Sequence, residues 1–202
     1  MNLFLKRLGG FYKYRFLMQQ LVTKDIKLKY RRSFLGYLWS ILNPLMVMVI
    51  MVIVFSNMFR SDIVNFPVYL IIGQTLYNFM SESTTQAIFS IIGNASLLKK
   101  TYVPKYVFTV SKITSSFVNM VFALGALVIV FVVCRVVPNV FYLFIPVILL
   151  QEYLFCLGLG MLLAQGCVFF RDIQHIYNAV LTAWMYLTPL LPCFRRRCGN
   201  WL

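Results

Sequence analysis

The chain is poor in the residues that carry chemistry. It has one histidine, His175, only five acidic residues, and no glycine-rich loop of the kind that cradles phosphates. No Ser/His/Asp arrangement and no set of metal ligands can be assembled from them, so the sequence offers no catalytic centre and no metal site. Any ATP that drives the molecule must be bound by another subunit. The five cysteines, Cys134, Cys156, Cys167, Cys193 and Cys198, show no CxxC spacing. The first three lie within or beside apolar runs, where cysteine behaves as a small hydrophobe rather than as half of a disulfide. Charge is scarce as well: 12% of residues are charged, against roughly 25% in an average soluble domain. With 61% hydrophobic residues and a mean hydropathy of +0.81, too little polar surface is left to clothe a water-soluble fold. The first long apolar run also starts too late, and is too long, for the core of a cleavable signal peptide.

What is abundant is positive charge and apolar length. Nineteen Lys and Arg give a net charge of +14 over 202 residues. In a soluble chain that balance would suggest nucleic acid, but the placement argues against it. Nine of the basic residues lie between Lys6 and Arg32, and four more between Lys99 and Lys112, with long uncharged apolar segments between the clusters. That is the pattern of basic cytoplasmic loops beside membrane helices. The expected fold is therefore an all-α integral membrane protein with about five transmembrane helices, preceded by an amphipathic helix at the membrane interface.

Residues 1–37 are polar and basic, with Phe4, Leu8, Phe11 and Tyr12 on one helical face and Leu17, Leu21 and Leu28 on another. Gly9-Gly10 interrupts the first face, and Lys6, Arg7, Lys13, Lys24, Lys27 and Lys29 would meet water or anionic headgroups. A transmembrane domain over 38–191 follows, with spans at about 38–59, 66–89, 108–133, 141–170 and 173–191. Each offers the ~20 residues needed to cross a hydrocarbon core about 30 Å thick. Trp39 stands at the entry to the first span, and Pro44 one turn in marks a start or a kink. With the N-terminus inside, the inner segments hold the nine, the four and Arg171, whereas the two outer loops hold only Arg60 and Arg135. One segment breaks this rule. An aberrant basic tail, 192–202, would carry Arg195, Arg196 and Arg197 outside, which predicts a reading frame truncated or shifted near Leu190.

Ionisable groups within spans are costly, about 2.5–3.5 kcal/mol on insertion scales, and face protein or water. Glu82 shares a helical face with Gln74, Asn78, Ser81 and Thr85. That stripe suits a hydrated path or a helix contact; Glu82 near the span's inner end also suits a snorkelling, solvated carboxylate. Glu152, beside Gln151 in a segment longer than one span, would mark a tilt, break or cavity. Gly160-xxx-Ala164 is a small-xxx-small packing pattern, and Ser111, Ser115 and Asn119 form a further polar face. Gln74, Asn78, Glu82 and Glu152 are thus the candidate channel-lining residues.

Several of these stretches have a familiar form. Lys29-Tyr30-Arg31-Arg32-Ser33-Phe34-Leu35-Gly36-Tyr37-Leu38-Trp39, running into Leu42-Asn43-Pro44-Leu45, resembles the entry to the first span of type-2 ABC exporter permeases for polysaccharides. Asn94 with Leu97-Leu98-Lys99-Lys100-Thr101-Tyr102-Val103-Pro104-Lys105 resembles that family's first cytoplasmic loop, and Val168-Phe169-Phe170-Arg171-Asp172-Ile173 with Tyr186-Leu187-Thr188-Pro189 its later signature. The resemblance implies a six-span subunit in the bacterial inner membrane that forms a homodimer among membrane lipids. It would recruit ABC ATPase subunits, which hold ATP and Mg, and export a lipid-linked glycan such as O-antigen, capsule or teichoic acid. Lys99, Lys100, Tyr102, Pro104, Lys105, Arg171 and Asp172 occupy the loops that meet the ATPase in that family. After Pro189 the family's outer re-entrant segment and sixth span are missing. The rival readings are an ABC permease for drugs or small lipids, a membrane-embedded glycan enzyme, and an inactive truncated product.

Overall fold

In the computed structural model, residues 14–30, 35–59, 66–100, 102–134 and 144–187 are described. Among them the chain is helical throughout: α1 (Arg15–Tyr30), a 3-10 turn (Gly36–Leu38), α2 (Trp39–Phe59), α3 (Phe66–Gly93), α4 (Ala95–Lys100), α5 (Lys105–Val133), α6 (Ile145–Phe169) and α7 (Ile173–Leu187). The basic tail expected over 192–202 and the first apolar face, Phe4 to Tyr12, lie outside the described residues.

Among the described residues, three helical segments are long and apolar enough to cross a membrane: Gly36–Val54, Lys105–Val133 and Ile145–Phe169. α3 has the length, with 28 residues, but its middle is occupied by Gln74, Asn78 and the run from Ser81 to Gln86. α7 comprises 15 described residues. α3 continues past Phe89 to Gly93, and α5 begins at Lys105 rather than at Phe108, so this helix pair projects together at the end that carries the basic loops. The backbone before α2 turns at Gly36, whose φ of +47° lies in the left-handed region that other residues enter at a cost. α6 runs unbroken through Glu152. The break considered for that position does not occur, because a single glutamate keeps its backbone hydrogen bonds and leaves the helix intact.

α3 and α5 form the most extensive helix pair, with α6 closing against α3. Two apolar clusters result. One joins Phe79 and Ile88 of α3 to Ile113 and Met120 of α5, Cys156 of α6, and Tyr177 and Leu181 of α7. The other, toward the far end, joins Met48 of α2 to Val68 and Ile71 of α3 and Ala126 and Val130 of α5. Gly160 is what lets α6 approach: a Cβ there would sit 2.8 Å from Ile113 Cδ1 and 3.0 Å from the Ala87 Cβ. Gly160 and Ala164 are both buried, as expected where small residues bring helices together in lipid. The outward faces of α2 and α6 carry Ile50, Ile53, Leu150, Leu154 and Leu162, all more than half exposed. Among helices of this length, that is a lipid-facing surface.

α1 packs along the basic-loop half of α5. Met18 and Val22 share a groove with Val110 and Thr114 of α5 and Tyr153 of α6. Leu17 and Leu21 are partly buried, but Leu28, expected on the same face, is 56% exposed near the helix end. Lys24 and Lys27 are exposed. Lys29 is exposed as expected, and its ammonium also pairs with a carboxylate of α3, which the C-terminal end of α1 reaches.

Candidate functional site: a polar cleft and a basic end

The polar residues of α3 and α5 meet at the level where α1 crosses them. Glu82 Oε1 accepts from Lys29 Nζ at 2.8 Å, from Gln86 Nε2 at 3.0 Å and from Asn119 Nδ2 at 3.3 Å. One carboxylate thereby ties α1, α3 and α5 together. A second tie lies four residues earlier on α1, where Lys112 Nζ of α5 donates to Asp25 Oδ1 at 2.8 Å. Asp25 and Lys29 stand at i and i+4, on one face of α1, and each reaches a different helix. Nearer the basic loops, Ser90 of α3 and Thr109 of α5 share a buried hydroxyl–hydroxyl bond of 2.8 Å. Ser111, Ser115 and Asn119, the polar face expected on α5, are buried.

Around Glu82 lies a cleft of about 640 Å³, walled by the first turns of α2 (Trp39, Asn43), by α3 (Asn78, Glu82, Thr85) and by α5 (Ser116, Asn119). Of the four candidate lining residues, Asn78 and Glu82 line it together and the other two do not. Gln74 lies a turn further along α3; its Oε1 is buried and has no hydrogen-bond partner among the described residues. Glu152 stands on α6, with Oε2 likewise buried and without a partner there. The ion pairs of Asp25 and Lys29 escaped the sequence reading. The spacing of these two residues marks a shared face, but only the tertiary fold supplies their partners.

The expected coupling residues gather at one end of the bundle. Asn94 makes the turn from α3 into α4: its carbonyl accepts from Leu97 and Leu98, and its side chain donates to Ser90 O at 2.8 Å. Lys99 and Lys100 close α4, Tyr102 is fully exposed, and Pro104 caps α5 at Lys105. Proline suits that place, since the first helical N–H groups have no intrahelical acceptor. Arg171 and Asp172 are exposed in the tight turn between α6 and α7, where the Asp172 carbonyl accepts from His175 at 3.0 Å and Ile176 at 3.1 Å. The two loops are neighbours: Lys105 and Tyr106 share a groove with Val168 and Phe169, at the end of α6. His175 is exposed and lies 3.0 Å from Gln174 Nε2. No group of residues that could hold a metal occurs among the described residues.

This arrangement can bind and transmit. Comparison with known proteins identifies its relatives. An O-antigen export system permease protein, RfbA, of Myxococcus xanthus is 34% identical over 180 residues, covering 89% of this chain and 69% of that protein. The protein of the same description from Klebsiella pneumoniae is 30% identical over 176 residues, covering 87% of this chain and 68% of its own length. The capsule polysaccharide export inner-membrane protein CtrC of Neisseria meningitidis serogroup A is 24% identical over 174 residues, covering 83% of this chain and 64% of CtrC. The chain thus spans about two thirds of the length of these relatives. The family model described as ABC-2 type transporter matches residues 17–192, and with the helical membrane architecture and the gathered loops this places the chain in the ABC-2 type transporter family, as a multi-pass membrane permease.

Proposed function

We propose that the chain is the transmembrane subunit of an ATP-driven exporter that moves a lipid-linked polysaccharide across the bacterial inner membrane. In this reading it works as a homodimer, with its N-terminus and basic loops in the cytoplasm and five spans over 38–191. The observation that carries the reading is that Lys105, at the end of the 94–105 loop, shares a groove with Val168 and Phe169, just ahead of the Arg171-Asp172 turn. A separate ATPase docking there would push on α3, α5, α6 and α7 at once. Basic and aromatic side chains on tight turns suit an acidic docking surface. The relatives whose names specify O-antigen or capsule export support the choice of cargo. A permease for drugs or small lipids is the weaker reading, because the cleft beside α1 carries the amides of Asn43 and Asn78 and the hydroxyls of Thr85 and Ser116 among its apolar walls.

The test is reconstitution of the chain with the ABC-class ATPase encoded beside it, reading ATP hydrolysis and surface polysaccharide. Lys99→Ala with Lys100→Ala, or Pro104→Gly, should leave membrane insertion intact and reduce stimulated ATP hydrolysis. Full stimulation and full export in these variants would remove the loop from the mechanism. No surface polymer from the wild-type pair would remove the exporter reading itself.

A further inference from the structure

The cleft between α2, α3 and α5 holds polar groups that the packing of the helices does not use. At the far end the same three helices meet through Met48, Ile71 and Val130 and enclose no polar wall. At the α1 end the walls carry the exposed amides of Asn43 and Asn78, the hydroxyl of Thr85 and the indole of Trp39, 41% exposed. Ser116 adds an independent observation. It lines the cleft, is 1% exposed, and its Oγ is buried with no hydrogen-bond partner among the described residues. A buried hydroxyl left alone costs about 1–3 kcal/mol, a cost removed when something in the cleft supplies a partner. Glu82 is already oriented on the same wall by Lys29, Gln86 and Asn119.

We propose that this cleft is a glycosyl-binding site, taking a short neutral stretch of a carbohydrate chain. The proposal rests on the polysaccharide-export reading and names where the chain itself recognises its cargo. The chemistry points to sugar in three ways. Primary amides and a carboxylate each present two adjacent polar atoms, which can bridge neighbouring hydroxyls of one ring. An indole at the rim offers a flat apolar face for the C–H side of the same ring. Among the described residues of the wall the one cation, Lys29, is paired with Glu82, which leaves little there to favour an anionic ligand. An acyl chain in the same place would leave Asn43, Asn78 and Ser116 facing hydrocarbon, the mismatch that polar sites reject most strongly. The volume of about 640 Å³ falls within the ~300–1,000 Å³ of small-ligand sites.

The full chain, purified into lipid nanodiscs, is titrated with three neutral probes: maltohexaose, a mannose hexasaccharide and a galactose hexasaccharide. At least one should give a saturable change in tryptophan fluorescence that is lost in Trp39→Phe. Asn78→Leu should weaken binding about tenfold and Ser116→Ala by less, in line with losing one or two hydrogen bonds. Each variant is checked for wild-type thermal melting, so that misfolding is recognised. A well-folded wild type that responds to none of the three probes overturns the proposal, as does a response that persists unchanged in both Trp39→Phe and Asn78→Leu. Cross-linking between two copies through Asn78→Cys would show the cleft to be filled by a second protomer, and overturns it too. Failure of sugar binding with polysaccharide export retained removes this site alone, whereas absence of export removes the exporter reading.

Discussion

The two ends of the α3–α5 contact use opposite chemistry to do the same mechanical job. Near α1 the helices are joined by the Ser90–Thr109 hydroxyl pair and by Glu82 accepting from Asn119, with Asp25 and Lys29 of α1 clamped over them. At the far end the join is Val68 and Ile71 against Ala126 and Val130, with Met48 of α2 behind. In lipid, apolar side chains gain nothing by leaving the solvent, so the far end is held by close packing alone. The α1 end has directional bonds, which fix register and can be exchanged one for another. If the proposed ATPase docks at the basic loops, this division would let the polar end exchange partners while the packed end keeps its seat.

Three substitutions can break or sharpen this comparison. The largest effect is expected at Gly160, where α6 presses on α3 and α5 together. A leucine there must displace Ile113, which can yield, and the Ala87 Cβ, which cannot unless α3 itself moves. Gly160→Leu should cost about 1–3 kcal/mol or more, read as a lowered melting temperature in nanodiscs. Gly158→Leu, with nothing within 4 Å of its Cβ, should melt as wild type. Equal melting of the two variants would show that α6 is not seated as described.

A smaller loss is expected at the clamp. Asp25→Ala strands the Lys112 ammonium, whose side chain is only 27% exposed, and should cost about 1–3 kcal/mol. The loss should appear as faster proteolytic cleavage within α1. Adding Lys112→Ala should restore part of the protection, since the uncompensated charge is then gone. If Asp25→Ala leaves the cleavage rate unchanged, α1 is held by its apolar side alone.

The smallest effect is expected at Lys29→Ala. Its pair with Glu82 is 44% and 33% exposed, so water screens it and about 0.2–1 kcal/mol is at stake. The difference from wild type should shrink further at high salt. A large, salt-independent loss would mean that the Lys29–Glu82 pair is shielded from solvent and that the α1 end is far more rigid than its open cleft suggests.

Much of the architecture can be read from the residues. The apolar run from Phe108 marks α5, although the helix begins earlier, at Lys105, and Gly160 with Ala164 marks a close approach that the structure realises on α6. The polar face of Ser111, Ser115 and Asn119 is also visible in the sequence, though not the partner it is buried against. Gln74 is the instructive miss in placement. Its spacing puts it in line with Asn78 and Glu82, yet the cleft takes Thr75 and Asn78 from this stretch, and the Gln74 Oε1 is buried outside it.

By itself the sequence determined which segments could enter lipid and which had to stay at its edge. Transfer free energies are summed residue by residue along one helix, and need no knowledge of neighbours. The placement of the basic clusters follows from the same local accounting. Only the tertiary structure decided which polar groups meet. Glu82 and Lys29 are 53 positions apart, and Lys112 and Asp25 are 87 apart. A bond of 2.8 Å between such residues depends on how α1 crosses its neighbours, which follows from the seating of Met18 and Val22 beside Val110, Thr114 and Tyr153 and is carried by no single stretch of chain.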